Sequence, residues 1–239
     1  LRDAHGRIQG KLDDGAHDIL SKPGKNLTLS IDIDLQLYGE KLMQNKVGSI
    51  VAIDPKTGEI LAQVSSPTYD PAILSGRKRS ENYEQLLKNP LKPLLDRPVM
   101  AYYPPGSTFK VANALIFEQE GIITPNTYVS CHLGYHVGRF SVGCHAHYSP
   151  LNLVQSVQHS CNAYYCASFR AMMDHRKYEN ISDAFETWKN HIVSLGFGYK
   201  LGADVLNEKR GYIPNSGVYD KLYGKDRWKS LMIVSNSIG

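Results

Sequence analysis

Ser49-Ile50-Val51-Ala52-Ile53-Asp54-Pro55-Lys56-Thr57-Gly58-Glu59-Ile60-Leu61-Ala62-Gln63-Val64 holds two short apolar runs on either side of a Pro- and Gly-containing turn. Such runs, rich in β-branched residues, read as an antiparallel hairpin. Helical patterns follow it without any alternation of strand and helix. The chain is therefore expected to be α+β, an antiparallel sheet flanked by helices, with further strands of the sheet expected after Gly239.

Working outward, Pro23-Gly24 marks a turn, and Leu27-Thr28-Leu29-Ser30-Ile31 alternates as a strand does. Asp32 or Asp34 is placed to cap a helix carrying Leu35, Leu37, Tyr38, Leu42 and Met43. Residues 1–26 are rich in Gly, Asp and Lys with weak periodicity, and read as the end of a preceding region. Residues 27–239 read as one domain portion. Downstream, residues 67–98 carry five prolines and many charges, which predicts a long loop with a short helix near Tyr83 to Leu87. From Ser107 to Gln119, Phe109, Val111, Ala112, Leu115 and Ile116 form one apolar helical face. Residues 121–148 are aromatic, Gly-rich and His-rich, with short strands at most. Helices are predicted for Leu151 to Gln158, Asn162 to Asp174, and Asp183 to Leu195 before Gly196. Residues 196–229 read mostly as loop.

The 239 residues are 42% hydrophobic and 21% charged, with a net charge of +4, ordinary values for a globular protein. The densest basic run, Arg77-Lys78-Arg79, lies in a polar stretch. No basic stripe recurs on a helix face or among aromatics, so nucleic-acid binding is not indicated. No apolar run reaches the roughly 18 residues that span a bilayer. The polar start Leu1-Arg2-Asp3-Ala4-His5-Gly6-Arg7 is not a signal peptide. With no initiator Met, and with an end at Ser237-Ile238-Gly239 just after the apolar run Leu231-Met232-Ile233-Val234, the chain reads as cut at both ends.

An acyl-transfer serine enzyme needs a nucleophile and a base within reach, and donors for the oxyanion. Pro104-Pro105-Gly106-Ser107-Thr108-Phe109-Lys110 supplies Ser at a helix start and Lys three residues later on the same face. The prolines exclude helix before Ser107, the helix N-terminus favours negative charge, and the apolar helix places Lys110 in a low-dielectric region that lowers its pKa. A second element, Ser160-Cys161-Asn162, falls at the junction of two predicted helices. Taken singly, Ser160 and Asn162 also fit ordinary capping. Ser75-Gly76-Arg77-Lys78 repeats the first spacing and Ser80-Glu81-Asn82 the second. Both lie in hydrophilic stretches and are read as chance.

Ser-x-x-Lys opening an apolar helix, with Ser-x-Asn about 50 residues on, resembles the penicillin-recognising serine enzymes. Further likenesses are Gly24 to Asp32 with Gln36, the hairpin Gly48 to Ser65, Ser66-Pro67-Thr68-Tyr69-Asp70-Pro71, and Ser237-Ile238-Gly239. The early segment Arg2 to Arg7 looks like the end of the N-terminal pedestal of class B penicillin-binding proteins. The Cys/His-rich insert resembles the elongation-type member of the rod-shape machinery, with division-type members the nearest rival. The resemblance implies a penicillin-recognising transpeptidase fold whose C-terminal part, with its Lys-Thr-Gly motif, follows Gly239. Lys56-Thr57-Gly58 is a false match, because it precedes Ser107 and occupies a hairpin turn.

The activity so implied is peptidoglycan D,D-transpeptidation, with β-lactams as covalent inhibitors. Ser107 is then the nucleophile, Lys110 the base, Ser160 a proton relay, and Asn162 a partner of Lys110 and of the substrate carbonyl. No cofactor is needed for this chemistry, and the chain alone, lacking the third motif, is expected to be inactive. The parent protein is expected at the periplasmic face of the inner membrane, held by an N-terminal helix outside this chain and partnered by a membrane glycosyltransferase. Alternative readings are a β-lactamase or D,D-carboxypeptidase of the same fold, or a non-catalytic β-lactam sensor or scaffold. By the resemblance, Cys161 stands where some relatives carry Asp, and the position of Asn162 is one open to an acidic residue in the nearest relatives.

Four cysteines and nine histidines are present. Cys131-x12-Cys144-x2-His147, with Cys161, spaces four ligands suited to a structural Zn²⁺. His145 competes with His147. A Cys131–Cys144 disulfide and free buried thiols are the alternatives, and Cys166 reads as a small buried hydrophobe on a helix. His132, His136 and His159 are read as surface or core histidines.

Overall fold

The computed structural model describes residues 2–16, 19, 22–225 and 227–239; the other positions of the predicted 1–26 segment lie outside it. Strand β1 (Gly48–Ile53) pairs antiparallel with β2 (Ile60–Ser66), as predicted. Its turn is closed by Asp54 N–H donating to Glu59 O and Gly58 N–H to Asp54 O. Gly58 takes a φ of +78° there, a conformation that glycine adopts without strain.

Helix α1 (Ile33–Leu42) lies on β2. Asp32 is its cap, accepting from the backbone of Asp34 and Leu35. A Cβ on Gly39 would stand 2.9 Å from Val64 Cγ2, so the missing side chain sets the helix–strand distance. Gln36 faces Gln63, accepting from its N–H at 2.8 Å and donating to its carbonyl at 3.1 Å. This side-chain amide satisfies ladder groups that would otherwise form a bare edge.

The strand predicted for Leu27–Ile31 is not formed. Its alternation is present in the sequence, but Leu27 and Leu29 are exposed. Among the described residues the bonds from this stretch to β2 lie at its end, Ser30 Oγ to Ile60 O and Asp32 N–H to Leu61 O. A strand needs a ladder, and the described residues offer none here.

The predicted long loop holds α2 (Arg79–Lys88), a turn longer than expected, and the short α3 (Arg97–Met100). The helical body then begins. A 3₁₀ turn over Gly106–Thr108 runs directly into α4 (Phe109–Gln119). Around it stand a second hairpin, β3 (Gly134–Val137) with β4 (Phe140–Gly143), and helices α5 (Leu153–Gln158), α6 (Asn162–Met173) and α7 (Ile181–Ser194). Asn152 and Gln155 form a capping box on α5, and Asn180 caps α7, the residue types that satisfy orphan helix N–H groups.

Further features, beyond α3, escape the sequence reading. Helix α8 (Ser216–Tyr223), capped by Asn215, lies within the predicted loop, and a 3₁₀ stretch covers Ser230–Ser237.

The core sits where α4, α6, α7 and the 230–237 stretch meet. Phe117, Phe169, Phe185, Trp188, Trp228, Tyr164, Tyr165 and Met172 are buried there. Phe169 and Trp188 meet edge to face at 5.5 Å, as do Phe185 and Trp228 at 5.9 Å. That is the arrangement ring quadrupoles favour. The architecture agrees with the α+β expectation: two antiparallel hairpins beside a helical body.

Candidate active site and metal cluster

Lys110 lies on the first turn of α4 and is 2% exposed. An ammonium carries three donors and is costly to bury unless each is used. Here each is used. Lys110 Nζ donates to Ser160 O at 2.6 Å, Ser160 Oγ at 3.0 Å and Asn162 Oδ1 at 2.6 Å. The ring of Tyr165, on α6, stands 5.6 Å from the same nitrogen, close enough for cation–π attraction. Burial lowers the Lys110 pKa, while the Cys144, Cys161 and Cys166 thiols pull it up; the net direction is down.

The Ser160–Asn162 turn joins α5 to α6. Ser160 has a φ of +50°, an uncommon conformation for a residue with a side chain. The turn is held by Ser160 N–H to Val157 O and Cys161 N–H to Ser156 O. Asn162 spans the site: its Oδ1 faces Lys110, and its Nδ2 donates to Gly143 O at 2.7 Å. Ser160 and Asn162 thus converge on Lys110, as the sequence spacing implies.

Ser107 sits in the 3₁₀ turn immediately before α4, with its side chain exposed to solvent. It shares the helix head with Lys110 but is not among the three acceptors of the ammonium. The expected Ser107–Lys110 hydrogen bond is replaced by the contacts to Ser160 and Asn162, because a charged Nζ spends all its donors on them. The two decoys lie elsewhere. Ser75 and Lys78 precede α2 and are exposed, Ser80 lies on it and is exposed, and Asn82 lies on it half-buried.

Behind the turn, Cys131, Cys144, His147 and Cys161 bring three sulfurs and one imidazole nitrogen within 4.8 Å of one another. His145 is exposed and outside this group. Cys131 and Cys144 are free thiols, as are Cys161 and Cys166. Cys166 is buried on α6, as expected of a small hydrophobe. Cys144 Sγ and His147 Nε2 stand 3.5 Å apart, compatible with two ligands of one tetrahedral ion. His147 Nδ1 lies 2.7 Å from Tyr148 O, a partner that leaves Nε2 as the free donor nitrogen. Asn162 N–H points at Cys144 Sγ at 3.2 Å.

The thiols differ in acidity. Burial pushes Cys161 up to about 12 and raises Cys131. Burial also acts upward on Cys144, but hydrogen bonds from His147 and from the Asn162 and Ala163 backbone outweigh it, giving about 7. Three thiols and a fixed imidazole in a partly buried spot fit the donor set of a structural zinc site.

The family pattern described as "Penicillin binding protein transpeptidase domain" matches residues 48–230. The chain belongs to this family. Among curated relatives, the Peptidoglycan D,D-transpeptidase MrdA of Acinetobacter baumannii is 32% identical over 220 residues, covering 90% of this chain and 31% of that protein. The chain therefore spans about a third of that relative. Among solved structures, Penicillin-Binding Protein (PBP2) from Helicobacter pylori superposes with a TM-score of 0.80 at 27% identity, covering 92% of this chain and 40% of that one. A structure described as "Structural coordination of polymerization and crosslinking by a peptidoglycan synthase complex" matches with a TM-score of 0.68 at 28% identity, covering 88% and 36%. The resemblance to class B proteins of the elongation type agrees with these relatives, and the transpeptidase fold is the one observed.

Tyr165 and Gly143 are parts of the site that the sequence reading does not single out. Tyr165 lies three residues after Asn162 on the same helix, so the i, i+3 rule was the available signal.

Proposed function

We propose that the protein carrying this chain is a peptidoglycan D,D-transpeptidase of the elongation type, acting through a serine acyl-enzyme and acylated by β-lactams. The observation that carries this reading is the buried Lys110 amine, held by Ser160 and Asn162 at the head of the helix whose preceding turn bears Ser107.

Ser107 Oγ attacks the penultimate D-Ala carbonyl of a stem peptide. For Lys110 to take the Ser107 proton it must first be neutral, and its lowered pKa favours that form. The neutral amine has a lone pair and one donor fewer, so one of its present contacts gives way to Ser107. Ser160 passes a proton to the departing D-Ala nitrogen. An amine from a neighbouring stem then attacks the ester, releasing Ser107. A β-lactam follows the first half of this path, its ring nitrogen staying attached to the acyl group. Substrate-carboxylate recognition and one oxyanion donor come, in this reading, from a third motif in the chain after Gly239.

Cys131, Cys144, His147 and Cys161 would hold a structural zinc, which supplies a fixed tetrahedral anchor and takes no part in bond making. It would tie β4 to the Ser160–Asn162 turn from behind. The free state of all four cysteines and the partner on His147 Nδ1 support this over a Cys131–Cys144 disulfide.

Within this reading the protein works at the periplasmic face of the inner membrane beside a membrane glycosyltransferase. The match to a chain of a peptidoglycan synthase complex supports that partner. No helix among the described residues is long and apolar enough to cross a membrane.

Replacing Ser107 with Ala in the full-length protein should abolish covalent labelling by a fluorescent penicillin. Persistent labelling would reject the assignment. Fast turnover of a chromogenic β-lactam would favour a hydrolase instead.

A further inference from the structure

We propose that residues 236–239 form a platform that seats the Ser107 turn, with Asn113 and Gly239 as positioning residues for acylation. The proposal rests on the reading of Ser107 as the nucleophile, and adds to it what fixes the serine where the lysine cannot.

Ser107 is exposed and gains nothing from the Lys110 hydrogen bonds, so its placement depends on the backbone around it. That backbone is gripped from below. A Cβ on Gly239 would lie 2.3 Å from Gly106 O, 2.6 Å from Gly106 N and 2.8 Å from Gly106 C. No real side chain tolerates such distances, and the atoms it would meet are backbone, which cannot swing aside. Gly239 also has a φ of +86° and Gly106 a φ of +61°. Two glycines therefore face each other in left-handed conformations, one of them the residue just before Ser107.

The height of this platform is set by Asn113. It is fully buried on α4, three residues after Lys110 on the same face. Its Oδ1 accepts from Trp188 Nε1 at 2.7 Å. Its Nδ2 donates to Asn236 O at 3.3 Å and Ser237 O at 3.1 Å. The Trp188 bond fixes which end of the amide faces the platform, so the NH₂ is directed to the two carbonyls. Ser237 is itself buried and donates to Val234 O at 2.6 Å. One helix thus carries Lys110 toward the Ser160–Asn162 turn and Asn113 toward the platform that backs Ser107. A displacement of either support changes the separation between nucleophile and base.

The test is acylation kinetics with a fluorescent penicillin, run on the full-length protein at several drug concentrations. This separates the noncovalent dissociation constant from the acylation rate constant. In Gly239→Ala the rate constant should fall about 100-fold, the effect of an ångström-scale misplacement of a reacting group. The noncovalent constant should stay at the parental value. Asn113→Ala places no atom against Gly106, and should lower the same rate constant by a smaller factor. Should Gly239→Ala fail to fold, Asn113→Ala decides. A merely structural role would lower the melting temperature and leave the rate constant of the folded fraction unchanged. That result in either folded variant overturns the platform. If the parent protein takes up no label, the assignment of Ser107 fails and the platform with it. If the parent is labelled and a folded Gly239→Ala is labelled at the same rate, only the platform fails.

Discussion

One serine-bearing turn precedes α4 and the other binds Lys110 on its first turn, and the two are held differently. The Ser160–Asn162 turn is fixed by side-chain chemistry: a left-handed serine, an asparagine bonded on both sides, and a thiol–imidazole cluster behind it. The Ser107 turn is fixed mainly through its backbone, with an exposed hydroxyl, glycine against glycine beneath it, and Thr108 Oγ1 donating to Pro105 O at 2.8 Å across it. The difference fits their roles in the proposed reaction. A residue that passes protons profits from a permanent hydrogen-bond network. A nucleophile that must form and break a covalent bond is better left free at its oxygen and rigid at its Cα.

The comparison predicts unequal responses to mutation. Lys110 is the shared partner, so Lys110→Ala should have the largest effect, slowing acylation by about 10²–10⁴-fold, the range for loss of a positioned base. Lys78→Ala, in the chance copy of the motif, should leave the rate unchanged. Equal losses in the two variants, read from labelling time courses, would erase the distinction between motif and decoy.

Metal removal probes only the Ser160–Asn162 side. Elemental analysis should find about one zinc per chain, and Cys144→Ser should lose it. Stripping the ion should lower unfolding stability by about 3 kcal/mol, the effect of a ligand held at roughly 100 times its dissociation constant. Zinc-free protein with an unchanged melting curve would show that thiols and hydrogen bonds alone hold this turn.

A smaller effect is expected far from both turns. Glu120, at the C-terminal end of α4, bonds to Lys177 at 2.6 Å, Tyr178 at 2.7 Å and His191 at 2.6 Å. Burial acts to raise its pKa, but these partners outweigh burial and draw it from 4.5 to about 2. A depressed carboxylate stabilises the fold above its unfolded pKa and loses that contribution as pH falls. Stability should therefore decline between about pH 4.5 and 2, by at most ~3 kcal/mol. Glu120→Gln should flatten that part of the curve in acid denaturation monitored by fluorescence, while acylation at neutral pH stays at the parental rate.

The parts of this picture legible in the sequence are those written in local patterns. Ser107 and Lys110 are one turn apart, and the Cys144–His147 and Ser160–Asn162 pairs are each a few residues apart. Donor type and spacing therefore pointed to both clusters, and the apolar periodicity marked α4, α6 and α7. What escaped depends on contacts distant in sequence or on missing partners. Leu27–Ile31 has the alternation of a strand but no ladder to join. Helix α8 spans only eight residues and follows Pro214-Asn215, a pair that reads as loop although Asn215 proves to be a cap. The Asn113–Trp188 bond joins residues 75 apart. Nothing local reveals it, and the close approach of Gly239 to Gly106 is equally silent.

The most direct test of the central claim is peptide mapping of the full-length protein after brief exposure to a penicillin. The account predicts a single acyl adduct on the peptide bearing Ser107, absent from the Ser107→Ala variant and formed far more slowly in Lys110→Ala. An adduct on Ser160 or Ser75, or none while the folded protein still cross-links stem peptides, would contradict it.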